Sequence, residues 1–259
     1  MARHVLVAMV LACLSAFLMG GIVAAQEKTP EQKLAELQRQ FDDKLAELHQ
    51  RGEPLTLAEL APPAVPDDQN AAVLYEQAFE LLGDIPRETD TRLNELLPRN
   101  GPAPGPEDTA EARKLLEPCQ PALDLIRQGT LRPKCRFDLD YGVFAPDIKL
   151  PNLSGVQRAG RLLYYESRLE VAQGRPDSAV ADCVAVLRLS EGLKDEPILI
   201  SQLVRIAVIG LGTNGMQRVL DQSEPGEAAL KEVADALARM DDRGPLVRAM
   251  GGSGASAWP

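Results

Sequence analysis

The stretch SGVQRAGRLLYYESRLEVAQGRPDSAVADCVAVLRLSEGL, residues 154–193, predicts two helices joined by a turn. Ser154 and Gln157 have the spacing of a capping box, in which two side chains satisfy free backbone N–H groups at a helix start. We expect this first helix to end near Gln173, and a tight turn to follow at residues 174–177. The second helix takes up the rest of the stretch. Because the connection is short, the two helices should pack antiparallel.

Helical patterns continue on both sides of this stretch. Thr29 and Gln32 have the spacing of another capping box. Apolar residues then recur every three or four positions, which predicts an amphipathic helix within 26–52. The helix predicted from residue 195 to about 220 is interpreted as a buried core helix rather than a membrane span. Other helices are expected near residues 71–82, 107–117, 121–128 and 224–240.

One segment departs from helical spacing. In Cys135–Tyr141 apolar residues occupy every second position, and the positions between them hold Arg136, Asp138 and Asp140. A period of two is typical of extended chain. A single segment does not make a sheet, so we expect it to lie extended across helices or to form a small hairpin. The predicted fold class is all-α, with one short extended segment near 135–141.

The N-terminus has the parts of an export signal. Arg3 is followed by an uncharged apolar run at residues 5–25, which ends with the small residues Val23 and Ala25 before Gln26. We predict export with cleavage after Ala25. The mature chain then lies in the periplasm or cell envelope.

Two alternatives stay open for this segment. Its length is close to the roughly 20 residues that span a bilayer, so it can remain as an uncleaved membrane anchor. Val10–Cys13 also loosely resembles a lipoprotein box with Cys13 as the lipidated residue, although apolar residues continue after it. All three interpretations place the rest of the chain outside the cytoplasm.

The domain organisation follows from these elements and from composition. A proline-rich stretch before residue 67 predicts a stiff linker, and the Gly- and Ser-rich C-terminus predicts disorder. The predicted order is a signal peptide or membrane anchor at 1–25, an amphipathic helix at 26–52, a linker at 53–66, a helical domain at 67–242 and a disordered tail at 243–259.

The net charge excludes two classes of partner. The chain has 38 acidic and 28 basic side chains, a net charge of −10. A surface with this balance repels phosphate backbones and anionic lipid head groups. We expect no nucleic-acid binding, and membrane contact only through residues 5–25 if they are not cleaved.

Residues 160–193 resemble one tetratricopeptide repeat. Gly174 matches the glycine between the two helices, Ala179 the small residue that follows, and residues 185–189 the closing Ala-Leu segment. Three positions depart from the repeat: Glu166, Glu170 and Cys183. The resemblance implies antiparallel helical hairpins that stack as in a tetratricopeptide-like or α-solenoid array.

Four short segments are similar to those of a group of uncharacterised exported bacterial helical proteins. They are Asn70–Tyr75, Cys135–Asp140, Leu150–Leu153 and Asp195–Leu203. This resemblance implies no activity.

Histidine and cysteine limit the possible chemistry. His4 lies in the predicted signal and His49 at the end of the first helix, which excludes a His-based triad or a multi-histidine metal site. No cofactor or metal is expected. In an oxidising compartment Cys119 and Cys135 can form a disulfide that closes a loop of about 17 residues and stabilises by roughly 3 kcal/mol. Cys183 shares a helical face with apolar residues and should be buried.

Asp138 and Asp140 are the candidate catalytic residues. Alternate residues of an extended segment project from the same side, so the two carboxylates, with Tyr141 beside them, can act as acid and base or bind Ca²⁺. The alternative interpretation is a solvated polar face in which Arg136 is the ion-pair partner.

These observations favour a binding protein over an enzyme. We predict an exported, non-catalytic helical binding or scaffold protein of the cell envelope, which holds another protein or peptide in a groove between stacked helices. The helix at residues 30–50 can also form a homodimer. The alternative function is a carboxylate-dependent hydrolase or lyase that uses Asp138 and Asp140.

Overall fold

A computed structural model describes residues 29–52, 54, 56–99, 101–143, 147–240 and 243–249. The predicted export signal, its cleavage site and Cys13 lie outside the described residues, as does the tail from residue 250 onward. The chain divides into two compact units, Met1–Leu55 and Thr56–Pro259.

The described part of the first unit is dominated by helix α1 (Pro30–Gln50). Its predicted capping box is confirmed, because the Thr29 hydroxyl accepts from the Gln32 N–H at 3.3 Å and the Gln32 amide oxygen accepts from the Thr29 N–H at 3.0 Å. The apolar stripe of α1 is exposed, with Leu34, Leu37 and Phe41 each 63–64% accessible. Homodimer formation through this stripe stays a prediction.

The second unit is helical, as predicted. Its helices in chain order are α2 (Leu57–Leu60), α3 (Ala71–Gly83), α4 (Arg87–Leu96), α5 (Pro106–Leu116), α6 (Gln120–Gly129), α7 (Asn152–Ala172), α8 (Pro176–Glu191), α9 (Leu199–Gln222), α10 (Glu227–Ala238) and α11 (Arg243–Ala249). A 3₁₀ turn, Glu117–Cys119, joins α5 to α6. Among the described residues, β pairing is confined to one isolated bridge between Asn70 and Lys134.

Helices α7 and α8 form the hairpin predicted from the opening stretch. The turn between them uses Gly174 at φ +69°, a left-handed conformation that glycine adopts without strain. The predicted capping box is wrong, because α7 begins at Asn152 and the Ser154 hydroxyl donates instead to the carbonyl of Pro151 at 3.3 Å. The helix therefore starts two residues before the predicted cap.

Helix α9 packs antiparallel to α8 at close range. A methyl group on Gly212 would lie 2.7 Å from Cδ2 of Leu187, and one on Gly215 would lie 2.9 Å from Sγ of Cys183. Only residues without a side chain allow this approach. The succession α7–α8–α9 is consistent with the predicted repeat-like stacking, which stays a prediction as an array.

The prediction that α9 is a buried core helix is only half right. One face is buried, but Leu199, Leu203 and Ile206 are 43–51% exposed. Within the described part of the chain, α9 is the helix whose length and composition would permit a membrane crossing, and 44% of its apolar window is buried inside the fold.

Helices α3 and α6 pack on each other and on α7. The Tyr75 ring lies against Gly129 and the Phe79 ring against Gly155, so that two glycines provide room for two aromatic side chains. Tyr75, Phe79 and Phe137 have ring centroids 6.3–6.4 Å apart and form the aromatic part of the core.

Three further differences from the predicted organisation concern short helices. The predicted linker at 53–66 contains α2, which Thr56 caps through its hydroxyl. The predicted tail at 243–259 begins with α11, whose Pro245 is buried. Helix α4 was not predicted, and its apolar residues Leu93 and Leu96 are buried in the core.

Candidate binding cavity

A cavity of about 770 Å³ opens in the second unit where five segments meet. The segments are the proline-rich stretch 62–65, the start of α3, the loop 130–136, the end of α8 with the residues after it, and the end of α10. The loop 130–136 reaches the cavity because Lys134 pairs with Asn70, the N-cap of α3. In this pairing the Ala71 N–H donates to the Lys134 carbonyl at 2.8 Å. This pairing fixes the extended segment against the helices.

The lining of the cavity is strongly cationic, although the chain as a whole is acidic. It contains six cationic side chains, Arg132, Lys134, Arg136, Arg188, Lys194 and Arg239, and two anionic ones, Glu191 and Asp195. The cavity thus reverses the sign of the chain's net charge of −10.

Backbone carbonyls hold two of the cations in place. Arg132 Nη1 donates to the carbonyls of Asp67 and Asn70 at 2.6 and 2.7 Å. Arg136 Nε donates to the carbonyl of Pro62 at 3.0 Å. Because these acceptors are neutral, both guanidinium groups keep their full positive charge while their positions are fixed.

Three cations have no such partner within the described part of the chain. The side chains of Lys134, Arg188 and Arg239 make neither a hydrogen bond nor an ion pair there. Arg188 is half-buried. Burial raises the pKa of the Tyr75 phenol, and the nearby positive charge of Arg188 opposes part of that rise. Arg188 therefore lies near the apolar wall of the cavity rather than out in solvent.

The two acidic side chains of the lining are engaged with other cations. Glu191 accepts from Arg205 at 2.5 Å and lies 3.5 Å from Lys194 Nζ. Asp195 lies 3.6 Å from Arg248. Neither carboxylate neutralises the three unpaired cations.

The apolar wall of the cavity includes Tyr75 and Cys135. Burial raises the pKa of both groups far above the ordinary values for a phenol and a thiol, and the neighbouring Glu196 raises that of Cys135 further. Burial also raises the pKa of Cys119 to about 11 and that of Cys183 to about 12. A protonated thiol is a poor nucleophile, so these cysteines are not activated for catalysis.

A buried polar cluster lies behind Cys135. Asn152 Nδ2 donates to Glu196 Oε1 at 2.7 Å, and Gln202 Nε2 donates to the carbonyls of Leu193 and Glu196 at 2.8 and 2.7 Å. Burial raises the pKa of Glu196 to about 7, against the opposing effect of its hydrogen-bonded neighbours. Segments that the sequence analysis singled out separately, around Asn152, Glu196 and Cys135, thus meet at one place.

The structure places Asp138 and Asp140 on an exposed face. The alternation of the segment is confirmed, since Phe137, Leu139 and Tyr141 are buried and both aspartates are exposed. The segment forms no strand or hairpin; its backbone instead makes hydrogen bonds from Leu139 N–H to the Phe137 carbonyl and from Tyr141 N–H to the Leu139 carbonyl.

The side-chain contacts at this face favour the solvated interpretation. Asp140 Oδ1 accepts from the Gly142 N–H at 2.9 Å, which is a local turn contact. Arg136, the expected ion-pair partner, donates instead to Pro62. The two aspartates line an open depression of about 490 Å³ together with Tyr141. In the described residues no group of three His, Cys, Asp or Glu side chains could hold a metal ion.

The predicted disulfide is not formed. All three cysteines of the described chain are free thiols. Cys119 precedes α6 and Cys135 follows it, beside Tyr75 and Gly192. A helix of 10 residues is about 15 Å long, whereas a disulfide needs Cα atoms within about 7 Å. The two thiols lie on either side of α6 along the chain and are not paired in the structure.

The sequence analysis missed the cations that form the cavity. Arg132 and Lys134 precede the extended segment and Arg136 lies within it; all three stand at alternate positions, and this spacing could have indicated a basic edge. No local pattern marks Arg188 or Arg239, which come from helices far along the chain. Comparison of the chain with protein-family models, curated proteins and solved structures finds no match.

Proposed function

We propose that the chain is an exported, non-catalytic binding protein of the cell envelope, and that the cavity beside Arg188 holds a segment of a partner protein or peptide. One observation carries the proposal: cations from separate parts of the chain converge on one concave site of an otherwise acidic protein. The cavity volume of about 770 Å³ lies within the range of roughly 300–1,000 Å³ typical of ligand sites.

The chemistry around the cavity supports binding rather than turnover. Its thiol and phenol are held protonated by burial, and a nucleophile would need an adjacent base to be activated. The enzyme alternative relies on Asp138 and Asp140. Both carboxylates are exposed to solvent in an open depression, which gives them no enclosed site for a substrate.

Location in the envelope rests on the N-terminal sequence. Residues 5–25 carry the parts of an export signal, and the remaining interpretations, an uncleaved anchor or lipidation at Cys13, lead to the same compartment. A binding site exposed outside the cytoplasm can meet partners that the envelope supplies. Self-association through α1 would present two such sites on one assembly.

Site-specific photo-crosslinking in the producing cells tests the proposal. A photoreactive amino acid replaces Leu131, which is 74% exposed and lies at the cavity, or Leu230, which is 41% exposed on α10 away from it. We expect a crosslinked protein or peptide from the Leu131 position in the envelope fraction and none from the Leu230 position. Equal products from both positions, or none from Leu131, would contradict the proposal.

A further inference from the structure

We infer that the cavity recognises carboxylate groups, as presented by an acidic segment of a peptide. The inference rests on the proposed binding function and adds the chemistry of the ligand. It starts from the charge of the lining, in which the side chains of Lys134, Arg188 and Arg239 have neither a hydrogen bond nor an ion pair with the described residues. Like charges gathered in a partly closed site repel each other, and an anion relieves that repulsion.

The cations are arranged for recognition rather than scattered over the surface. Arg132 and Arg136 are anchored by carbonyl groups, so their guanidinium groups need little reordering when a ligand arrives. Arg188 is half-buried beside Tyr75, where the local dielectric is lower than in water and an ionic hydrogen bond is stronger. A guanidinium group can bind both oxygens of one carboxylate.

The rest of the molecule limits the size of the anion. The net charge of −10 opposes the approach of a long polyanion such as a nucleic acid or an anionic membrane. A short acidic segment can enter the cavity while the remainder of its chain stays clear of the acidic surface. Apolar wall residues, among them Tyr75, Pro62 and Pro133, provide contact for the aliphatic parts of such a segment.

Isothermal titration of the purified mature chain at low salt tests the inference. The probes are a tetraglutamate peptide, citrate as a free polycarboxylate, and tetralysine as the peptide of opposite charge. Arg188→Gln and Arg239→Gln each remove one cation of the cavity. Lys231→Gln removes an exposed cation that lies on α10 outside the cavity, and it serves as the matched control.

We expect tetraglutamate to bind and tetralysine not to bind. Each of the two cavity variants should weaken tetraglutamate binding at least about tenfold, because each loses an ionic hydrogen bond to the ligand. Lys231→Gln should leave the affinity within about twofold. Circular dichroism melts of all variants show whether they fold, and Arg239, being exposed, is the substitution least able to disturb the core.

Binding of citrate alone, with the same loss in both cavity variants, would support carboxylate recognition and identify a free polycarboxylate as the source. Failure of both anions to bind, equal binding of tetralysine, or unchanged affinity in both cavity variants would overturn the inference. A crosslinked partner at Leu131 together with failure of both anions would leave the binding function standing and remove only the carboxylate chemistry.

Discussion

Replacing Glu196 by Gln tests the buried polar cluster directly. The Glu196 side chain is 4% exposed, and its Oε1 accepts from Asn152 Nδ2 at 2.7 Å. Gln keeps an oxygen that can accept this hydrogen bond and has nearly the same shape. Gln cannot ionise, and its amide NH2 group is present at every pH, so the pH dependence of the difference isolates the free energy of holding a charge at this place.

The magnitude follows from the pKa. An ordinary Glu carboxyl titrates at 4.5, and burial raises the pKa of Glu196 to about 7. Between these values the folded chain keeps a proton that the unfolded chain has released, so the free energy of unfolding falls as pH rises and levels off above about pH 7. One pH unit corresponds to about 1.4 kcal/mol. From about pH 5.5 to about pH 8, Glu196 should therefore reduce the free energy of unfolding by about 2 kcal/mol, and Gln should not.

Urea unfolding of both proteins at the two pH values measures the effect. The difference between the Glu196→Gln variant and the unsubstituted chain should grow by about 2 kcal/mol from the lower to the higher pH, with the variant the more stable at the higher pH. Glu232→Gln, at an exposed position of α10, is the control, and its difference should not change. An equal difference for Glu196→Gln at both pH values would refute the argument that burial controls this carboxyl.

Three further predictions concern packing, a buried ion pair and the cysteines. Gly212→Ala should lower the free energy of unfolding by about 1–3 kcal/mol, because its methyl group would press on Leu187. The control, Gly83→Ala, has nothing within 4 Å of the added methyl group and should be neutral or stabilise by up to about 1 kcal/mol. Urea unfolding measures both changes, and equal effects would refute close α8–α9 packing. Arg127→Gln removes the partner that lies 2.8 Å from buried Asp182, and should destabilise by about 3 kcal/mol near pH 8. Burial raises the pKa of Asp182 to about 7, so protonation should make that loss smaller near pH 5.5, and a loss independent of pH would contradict this account. A chain produced from residue 26 onward contains three cysteines, and after unfolding under non-reducing conditions it should show three free thiols in a colorimetric thiol assay. The same chain when folded should resist alkylation near pH 8, and a count of one thiol would show that the disulfide forms after all.

Local signals in the sequence predicted several elements well. The capping box of Thr29 and Gln32 and the limits of α1 are confirmed, since both depend on residues only three positions apart. The alternation in 135–141 predicted which side chains are buried. At the start of α7 the same kind of signal failed. Ser154 has the right spacing for a cap, but the helix extends to Asn152, whose amide is held by Glu196 from a distant loop.

The candidate site residues also divide into those that local sequence signals predicted and those that only the folded structure brought together. The aspartates of the extended segment were found from spacing alone, but their exposure depends on where the segment crosses the helices. The disulfide was predicted from the short separation of two cysteines along the chain, whereas both cysteines are free thiols in the structure and a helix lies between them. Arg188 and Arg239 join Lys134 only because α8 and α10 end near the loop at 130–136.

The sequence by itself determined the helical class of this protein, the hairpin at 154–193 and the acidic charge of the chain, because each depends on composition or on neighbours within a few residues. The tertiary structure alone decided that a cationic cavity exists and that Glu196 is buried. Both result from contacts between segments tens of residues apart, and the free energy of a charge depends on what the folded chain places around it.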